Sequence, residues 1–235
     1  MNLTATSDLH GHLPKDLPGG DVLLICGDIV PLDYQSDFTQ SVAWFCLDFA
    51  PWAESLPYRK VVFIGGNHDF FLEELSVRHS PSSVMKHLLP GPHKGQSKLV
   101  YLCDNSVEID TIRIYGTPWI ADLARWAFYK PEDELMAAYD RIPRKCDILL
   151  THMPPLACEA GRVLQHGCFN TMADYGSQAL ADAISTREIK YALCGHVHTG
   201  NHSPEPFGSV RNVVNVSLKD ENYRVAFKPF TFNID

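Results

Sequence analysis

The chain has 235 residues, 45% of them hydrophobic and 20% charged, with a formal net charge of −8 at pH 7. These values are typical of a soluble globular protein, and the length fits one large domain, predicted here to span residues 1–235. The acidic balance disfavours a nucleic-acid partner, which would need Lys and Arg contacts with phosphates, and no apolar run reaches the roughly 18 residues of a membrane span.

Strand and helix patterns alternate through the first half of the chain. Apolar runs predict strands at residues 2–7, 21–26 and 60–64. A helix is predicted at 36–49, where Pro51 would end it, and a second helix at 70–78. Residues 79–97 are predicted to form a long surface loop with one helical turn.

Short strands dominate the second half of the chain. They are predicted at residues 99–102, 106–109, 112–115, 146–150 and 189–194. Helices are predicted within 120–141 and 174–185. Residues 210–234 alternate apolar and polar side chains, as the strands of β-hairpins do. The order predicts an α/β fold in which two mixed sheets pack face to face with helices outside.

The cysteines and the N-terminal residues bear on the cellular compartment. The seven cysteines are an odd number, and none of them has the CxxC spacing of a zinc knuckle. The stretch MNLTATSDLHGH lacks the basic region and the apolar core of a signal peptide. We therefore expect reduced thiols and a cytoplasmic location.

Five apolar runs end in side chains that can bind metal ions. The loops after these runs supply Asp8 and His10, Asp28, Asn67 and His68, His152, and His196 and His198. In layered α/β folds, ligands bind where strands release their carboxyl ends into loops. In an extended segment, residues i and i+2 point to the same side, so the Asp-x-His and His-x-His pairs can each reach one site. These side chains are therefore predicted to converge.

The number and type of these donors favour two metal ions. Apart from His68, the loops supply seven oxygen and nitrogen donors without a thiolate, which are too many for one four-coordinate zinc ion. They fit two divalent ions, Mn, Fe, Ni or Zn, that share the carboxylate of Asp28. Two such ions bring four positive charges, of which Asp8, Asp28 and a bridging hydroxide cancel three. The remaining positive charge favours a phosphate ester as the substrate.

The motifs occur in one order along the chain: DLH at 8–10, GD at 27–28, GNHD at 66–69, TH at 151–152 and GHVH at 195–198. As a set they resemble the five blocks of the calcineurin-like metallophosphoesterase superfamily, from residue 3 to about 217. The resemblance implies a four-layer α/β/β/α sandwich with a two-metal site. The segments IYGTPW and GHVHTGN are similar to the metallophosphoesterase-domain-containing subgroup, whose members are compact phosphodiesterases.

The resemblance also implies roles for individual residues. The first metal ion would be held by Asp8, His10, Asp28 and His198. The second would be held by Asp28, Asn67, His152 and His196. His68 would be the catalytic or phosphate-contacting histidine, and Asp69 would orient it by accepting a hydrogen bond. The family often has Glu at the position of Asp69.

Other polar and aromatic residues receive provisional roles. His12 and His202 lie beside motifs and are candidate substrate contacts. The remaining histidines are interpreted as surface or packing residues, at positions 79, 87, 93 and 166. Trp119 and Trp126 could line a pocket, but core packing is the favoured interpretation of aromatic residues in an apolar pattern.

The favoured function is metal-dependent hydrolysis of small phosphodiesters by a metal-bridging hydroxide. Three alternatives stay open: a catalytically weak metal-binding scaffold of the same fold, a phosphomonoesterase and a nuclease. The scaffold is disfavoured because every ligand position is filled and His68 is present. The nuclease is disfavoured by the net charge of −8.

Overall fold

Two large β-sheets with helices on their outer faces make up the computed structural model, which describes residues 1–89, 97–121, 123–165 and 170–235. The strands are β1 Asn2–Thr6, β2 Val22–Ile25, β3 Lys60–Phe63, β4 Leu99–Tyr101, β5 Asn105–Ile109, β6 Ile112–Thr117, β7 Lys145–Thr151, β8 Arg162–Gln165, β9 Thr171–Asp174, β10 Glu188–Cys194, β11 Glu205–Phe207, β12 Val210–Asn215 and β13 Phe230–Asn233. The α-helices are α1 Phe38–Trp44, α2 Ala50–Ser55, α3 Phe70–Arg78, α4 Pro81–Leu88, α5 Glu132–Tyr139 and α6 Gln178–Ile184.

Each large sheet has a parallel centre and at least one antiparallel edge strand. The first sheet has the order β13-β1-β2-β3-β4, with β1 to β4 parallel and β13 antiparallel to β1. The second has the order β11-β12-β10-β7-β6-β5, with β11 and β5 antiparallel to their neighbours. A hairpin of β8 and β9 lies outside both sheets. Strand β2 is buried along its whole length, which is why its sequence is continuously apolar.

Apolar side chains fill the spaces between four layers. Leu24 of the first sheet and Ile148 of the second belong to the core between the sheets. Phe45 and Phe63 belong to the core between the first sheet and helices α1 to α4. Leu180 belongs to the core between the second sheet and helices α5 and α6. This arrangement confirms the predicted α/β/β/α sandwich. Among the described residues, no helix combines the length and the hydropathy that crossing a membrane requires.

Pro51 does not end the first helix, contrary to the prediction. The chain stays helical to Ser55 because residues Phe45–Phe49 form a π-helical turn. The N–H of Ala50 then bonds to the carbonyl of Phe45, five residues back. Pro51 falls in the first turn of α2, directly after this π-helical turn.

Three other predicted elements differ from the structure. Residues 81–88, predicted as loop, form helix α4, while residues 90–96 lie outside the described residues. Within 120–141, the described residues are α-helical only in α5. The tail folds back on itself only around an antiparallel bridge between Lys219 and Val225, among the described residues. Its strands pair elsewhere: β12 runs parallel to β10, whereas β13 joins β1 in the other sheet. An alternating pattern predicts a half-buried strand but does not identify its partner.

The carboxyl ends of β1, β2, β3, β7 and β10 meet at one end of the sandwich. Parallel pairing aligns the first three of these strands in one sheet and the last two in the other. The loop after β10 reaches across to the first sheet, where the N–H of His196 donates to the Asp8 carboxylate at 3.2 Å. The loops that carry the predicted metal donors therefore face one another.

Candidate metal centre

Backbone hydrogen bonds lock the first two loops of the centre together. The N–H of Asp8 donates to the carbonyl of Gly27 at 3.0 Å, and that of His10 donates to the carbonyl of Asp28 at 2.9 Å. Asp8, His10 and Asp28 have φ angles of 56°, 41° and 53°, in the left-handed region. That conformation costs about 1–2 kcal/mol per non-glycine residue. The chain therefore accepts backbone strain where it turns these side chains inward.

Gly66 allows the loop after β3 to approach Asp28 closely. A Cβ atom on Gly66 would lie 2.3 Å from Asp28 Oδ1 and 2.7 Å from His152 Cε1. Both separations are far below van der Waals contact. Only glycine lets this loop bring Asn67 and His68 beside the carboxylate.

Asp28 lies at the middle of the centre. Its carboxylate is 2% exposed, and its Oδ2 lies 3.4 Å from His152 Nε2, 3.7 Å from His10 Nε2 and 3.8 Å from His68 Nε2. Its Oδ1 accepts the backbone N–H of His68 at 2.8 Å. Burial alone would raise the pKa of Asp28, but the imidazoles of His152 and His68 hold it well below its usual value. Asp28 therefore stays ionised and faces the histidines as an anion.

The remaining predicted donors lie on either side of Asp28. On one side, His198 Nε2 is 3.4 Å from Asp8 Oδ1. On the other side, Asn67 Oδ1 lies 2.9 Å from His152 Nε2 and 2.8 Å from His196 Nδ1. The structure thus brings all seven predicted donors together, and His68 with them.

Hydrogen bonds to backbone carbonyls set the orientation of two rings. The Nδ1 atoms of His152 and His198 lie 2.8 Å from the carbonyl oxygens of Cys26 and Asp220. Because a carbonyl oxygen only accepts, these Nδ1 atoms carry hydrogens, and in the neutral ring each Nε2 has a lone pair. Those lone pairs face the carboxylate oxygens described above. A proton or a metal ion must lie between such a lone pair and the oxygen anion, and metal-binding histidines typically make such carbonyl bonds.

His10 gives a second indication of a cation. Both of its ring nitrogens are buried, and neither has a hydrogen-bond partner among the described residues. Burial lowers the pKa of His10 to about 4, so the ring is neutral near pH 7. Buried polar atoms without a partner are rare in proteins and call for an explanation. A divalent ion beside Nε2 supplies one.

The residues present fit divalent metal ions. Ligand atoms within 4.8 Å of one another occur in three overlapping groups: Asp8, His10 and His198; His10, Asp28 and His68; and Asp8, Asp28 and His152. Burial opposes the charged form of His152, but Asp28 and Asp8 raise its pKa to about 9. The centre therefore favours positive charge between its imidazoles and carboxylates. Asp, His and Asn ligands without thiolate suit borderline divalent ions.

Asp69 does not orient His68, which corrects the expectation. Its carboxylate accepts the backbone N–H groups of Ile29 and Val30, at 3.1 and 3.0 Å, and that of Gly66 at 2.9 Å. Burial and the charge of Asp28 raise the pKa of Asp69 to about 7. Asp69 is thus a buried acceptor that joins the loops after β2 and β3 by accepting hydrogen bonds from their backbone N–H groups.

The side chain of His68 instead contacts Gln35. The Nδ1 atom of His68 and the Oε1 atom of Gln35 are hydrogen-bonded, and Gln35 lies in the loop between β2 and α1. The imidazole also packs near Trp126, with ring centroids 4.5 Å apart. Burial lowers the pKa of His68. No sequence motif pointed to Gln35.

A pocket of about 400 Å³ opens over the centre. Asp28, Asn67, His68, His196 and His198 line its inner part. Its outer part is lined mainly by apolar or aromatic side chains, which include Leu123, Trp126, Val163, Tyr175 and Tyr223. The ring of Tyr223 lies 4.9 Å from that of His10 and 5.3 Å from that of His198. A small molecule in this pocket would touch both the metal donors and the aromatic wall.

The calcineurin-like phosphoesterase family model matches residues 1–200 of the chain. The chain belongs to this family. A UPF0046 protein of Caenorhabditis elegans is 30% identical, over 96% of this chain and 76% of that protein. Metallophosphoesterase domain-containing protein 1 of Homo sapiens is 28% identical, over 97% of this chain and 69% of its own length. A solved crystal structure shares the fold at a TM-score of 0.61 and 12% identity, covering 91% of this chain and 89% of its own.

Membership confirms the resemblance seen in the motifs. It places the chain among the metal-dependent phosphoester hydrolases, and the candidate metal donors of this phosphoesterase lie at the strand ends described above.

The candidate substrate contacts lie away from the pocket of the phosphoesterase. His12 is exposed, and His202 donates from Nε2 to the carbonyl of His198 at 3.0 Å while its ring stacks on Phe227. Neither is among the described residues that line the pocket. His202 therefore supports the backbone of His198, a candidate metal donor. Trp126, predicted as core, lines the pocket instead.

The remaining sequence predictions concern surface residues and thiols. His79 and His87 stack on each other at the surface, as interpreted. His93, His166 and Cys168 lie outside the described residues. The described cysteines are free thiols. Tyr223 was not identified from the sequence as a pocket residue, because it lies in a tail that was predicted to form a hairpin.

Proposed function

We propose that the phosphoesterase hydrolyses small phosphodiesters with two divalent metal ions bound on either side of Asp28. The observation that carries this proposal is the buried Asp28 Oδ2, which lies within 3.8 Å of the Nε2 atoms of His10, His68 and His152. One carboxylate with imidazole and amide donors on both sides can share its oxygens between two ions. The carboxylate, imidazole and amide donors do not distinguish among Mn, Fe, Ni and Zn.

The donors divide into two sets with Asp28 in common. The first ion would be held by Asp8, His10, Asp28 and His198. The second would be held by Asp28, Asn67, His152 and His196. When bound, two such ions supply a hydroxide nucleophile at neutral pH and offset the charge of the phosphoryl group.

His68 is proposed as the general acid. Its side chain lines the pocket, and its Nε2 is on the side of Asp28, whereas its Nδ1 is occupied by Gln35. As the ester bond breaks, a proton on Nε2 can pass to the departing oxygen. The aromatic ring of Trp126 limits the positions that the imidazole can take.

The charges around the pocket support a diester over a monoester. Among the described residues that line it, the acidic side chains are Asp28 and Glu221, and none is Lys or Arg. A phosphodiester carries one negative charge, whereas a monoester carries up to two. Nothing in the described lining balances the second charge, and Glu221 would repel it. The apolar wall with Trp126 and Tyr223 suits the uncharged ester group of a diester.

A substrate panel tests this proposal. The full chain is assayed with bis(p-nitrophenyl) phosphate and p-nitrophenyl phosphate, in Mn²⁺, Ni²⁺, Zn²⁺ or Fe²⁺ and with EDTA. We expect kcat/KM for the diester to exceed that for the monoester by about tenfold or more, which corresponds to about 1.4 kcal/mol. EDTA should abolish hydrolysis of both substrates, and an added divalent metal should restore it.

Each alternative predicts a different outcome of the panel. A preference for the monoester would indicate a phosphomonoesterase. Tight metal binding without hydrolysis of either ester would indicate a scaffold. Cleavage of DNA with salt-dependent binding would indicate a nuclease. Any of these results would overturn the proposal.

A further inference from the structure

We propose that Gln35 is a positioning residue, which holds the His68 ring in the tautomer with hydrogen on Nδ1 and directs Nε2 toward the leaving group. This inference rests on the proposed role of His68 as general acid. It assigns a function to a loop side chain that belongs to none of the sequence motifs.

The contact between the two side chains defines the tautomer. Gln35 presents its amide oxygen, Oε1, to His68 Nδ1. An amide oxygen has no hydrogen to give, so Nδ1 must donate. In the neutral ring, Nε2 then carries the lone pair, and it lies 3.8 Å from Asp28 Oδ2 on the side of the metal donors. The working nitrogen of His68 is therefore Nε2.

The loop around Gln35 is held at both ends. The N–H groups of Tyr34 and Gln35 donate to the carbonyl of Pro31, at 3.0 and 3.1 Å. The hydroxyl of Ser41 in α1 donates to the carbonyl of Tyr34 at 2.7 Å. Asp37 caps α1 by accepting the N–H of Gln40. These bonds tie the turn to helix α1, so the half-buried Gln35 side chain is presented from a fixed backbone.

No other side chain in the described part of the chain makes a hydrogen bond to the ring of His68. The neighbouring carboxylate of Asp69 is occupied by backbone N–H groups. The remaining ring contacts of His68, with His10, Trp126 and Tyr223, are made through ring faces and edges. Such contacts restrict the ring plane but cannot choose between the two nitrogens. Gln35 makes that choice.

The proton transfer that follows from this tautomer balances. Water first gives one proton to solvent, and the resulting hydroxide bonds through its oxygen to phosphorus. The bond from phosphorus to the ester oxygen breaks with its electron pair on that oxygen. The proton on Nε2 of the doubly protonated ring passes to that oxygen. The ring is left neutral with its hydrogen on Nδ1, which is the form that Gln35 stabilises. Without Gln35 the more flexible ring would present Nε2 less often in the correct direction.

A spectroscopic measurement tests the tautomer without reference to activity. Long-range ¹H–¹⁵N correlation spectra of the full chain at about pH 8 distinguish the two tautomers of a neutral imidazole. The His68 signals are assigned by their absence in His68→Ala. We expect the Nδ1–H tautomer in the wild type and in Gln35→Glu, and a shift toward the Nε2–H tautomer in Gln35→Leu. An Nε2–H tautomer in the wild type, or no change in Gln35→Leu, would overturn the inference.

A kinetic measurement tests the consequence for catalysis. Two diesters that differ in the nitro groups of their rings are compared: bis(p-nitrophenyl) phosphate, whose nitrophenolate leaves readily, and diphenyl phosphate, whose phenolate needs more protonation to leave. In Gln35→Leu we expect kcat to fall about 100-fold for diphenyl phosphate and only a few-fold for the nitrophenyl ester. The KM of Gln35→Leu should stay within about threefold of the wild-type value for both diesters. Gln35→Glu should have a kcat close to that of the wild type, because a carboxylate also accepts a hydrogen bond from Nδ1.

Further variants separate positioning from general damage. In a His68→Ala background, Gln35→Leu should have no additional effect, because the two residues act as a unit. Gln40→Ala removes an exposed amide in α1 whose side-chain partner among the described residues is Asp37, and it should leave both kcat values and the metal content unchanged. An equal loss on both diesters, or an additive loss in the double variant, would contradict the positioning role. If the wild type hydrolysed neither diester, the proposed function would be wrong. The spectroscopic measurement of the His68 tautomer would still test whether Gln35 positions the ring.

Discussion

Replacing Asp28 with Asn should release the bound metal ions and lower kcat/KM for bis(p-nitrophenyl) phosphate by well over 100-fold. The substitution keeps the shape of the side chain but removes its negative charge and one of its two oxygen acceptors. His10, His68 and His152 direct their Nε2 atoms toward Asp28 Oδ2, so both halves of the centre depend on it. Removing a group that only supports a metal ligand already lowers metal affinity or activity by about 10–100-fold. Removing a ligand that both ions share should lower metal affinity and activity further.

Elemental analysis after dialysis, together with steady-state kinetics, measures the effect of Asp28→Asn. Both ions should be lost in parallel, because each would lose a ligand in the same substitution. Asp33→Asn is the matched control: Asp33 is exposed in the same loop, and its replacement should change neither metal content nor activity. Retention of two tightly bound ions in Asp28→Asn would mean that Asp28 does not bridge them.

The second large effect is expected for His68→Ala. Its kcat for bis(p-nitrophenyl) phosphate should fall by roughly 10²–10⁴-fold, the usual contribution of a positioned acid or base. Metal content should stay unchanged, because His68 is not among the proposed ligands of either ion. Its backbone N–H should still donate to Asp28 Oδ1 after the side chain is removed. Loss of rate without loss of metal separates the acid from the ligands.

The control for His68→Ala is His87→Ala, which removes an exposed imidazole from α4. That variant should match the wild type in metal content and turnover. Unchanged turnover in His68→Ala would remove the side chain from the mechanism. A stoichiometric loss of metal would show that His68 is a ligand, which its presence in one of the close donor groups permits.

The buried strands were predictable because parallel strands in a sandwich are covered on both faces. Such strands are apolar along their whole length, as β2 is and as β3 is after its first residue, Lys60. The path of the tail was not predictable in the same way. Strand β13 crosses to β1 in the first sheet, and local alternation contains no information about such a distant partner. The predicted end of the first helix at Pro51 was also wrong, because a π-helical turn before Pro51 lets the helix continue.

The grouping of the metal donors was predictable because each donor follows a strand directly. The carboxyl ends of parallel strands lie at one edge of a sheet, so side chains that directly follow these strands in the sequence lie close together in the structure. The partner of His68 was not predictable by the same argument. Gln35 lies 33 residues away in a loop, and no periodic pattern fixes which loop side chain turns inward. Asp69 was chosen because it is next to His68, yet its carboxylate is used by the backbone of neighbouring loops.

Anomalous diffraction from crystals of the full chain grown with Mn²⁺ tests the central claim most directly. Two metal ions bound around one aspartate should give two anomalous peaks, one between Asp8 and Asp28 and the other between Asp28 and Asn67. A single peak, peaks that Asp28 does not touch, or no peak at saturating Mn²⁺ would contradict the account.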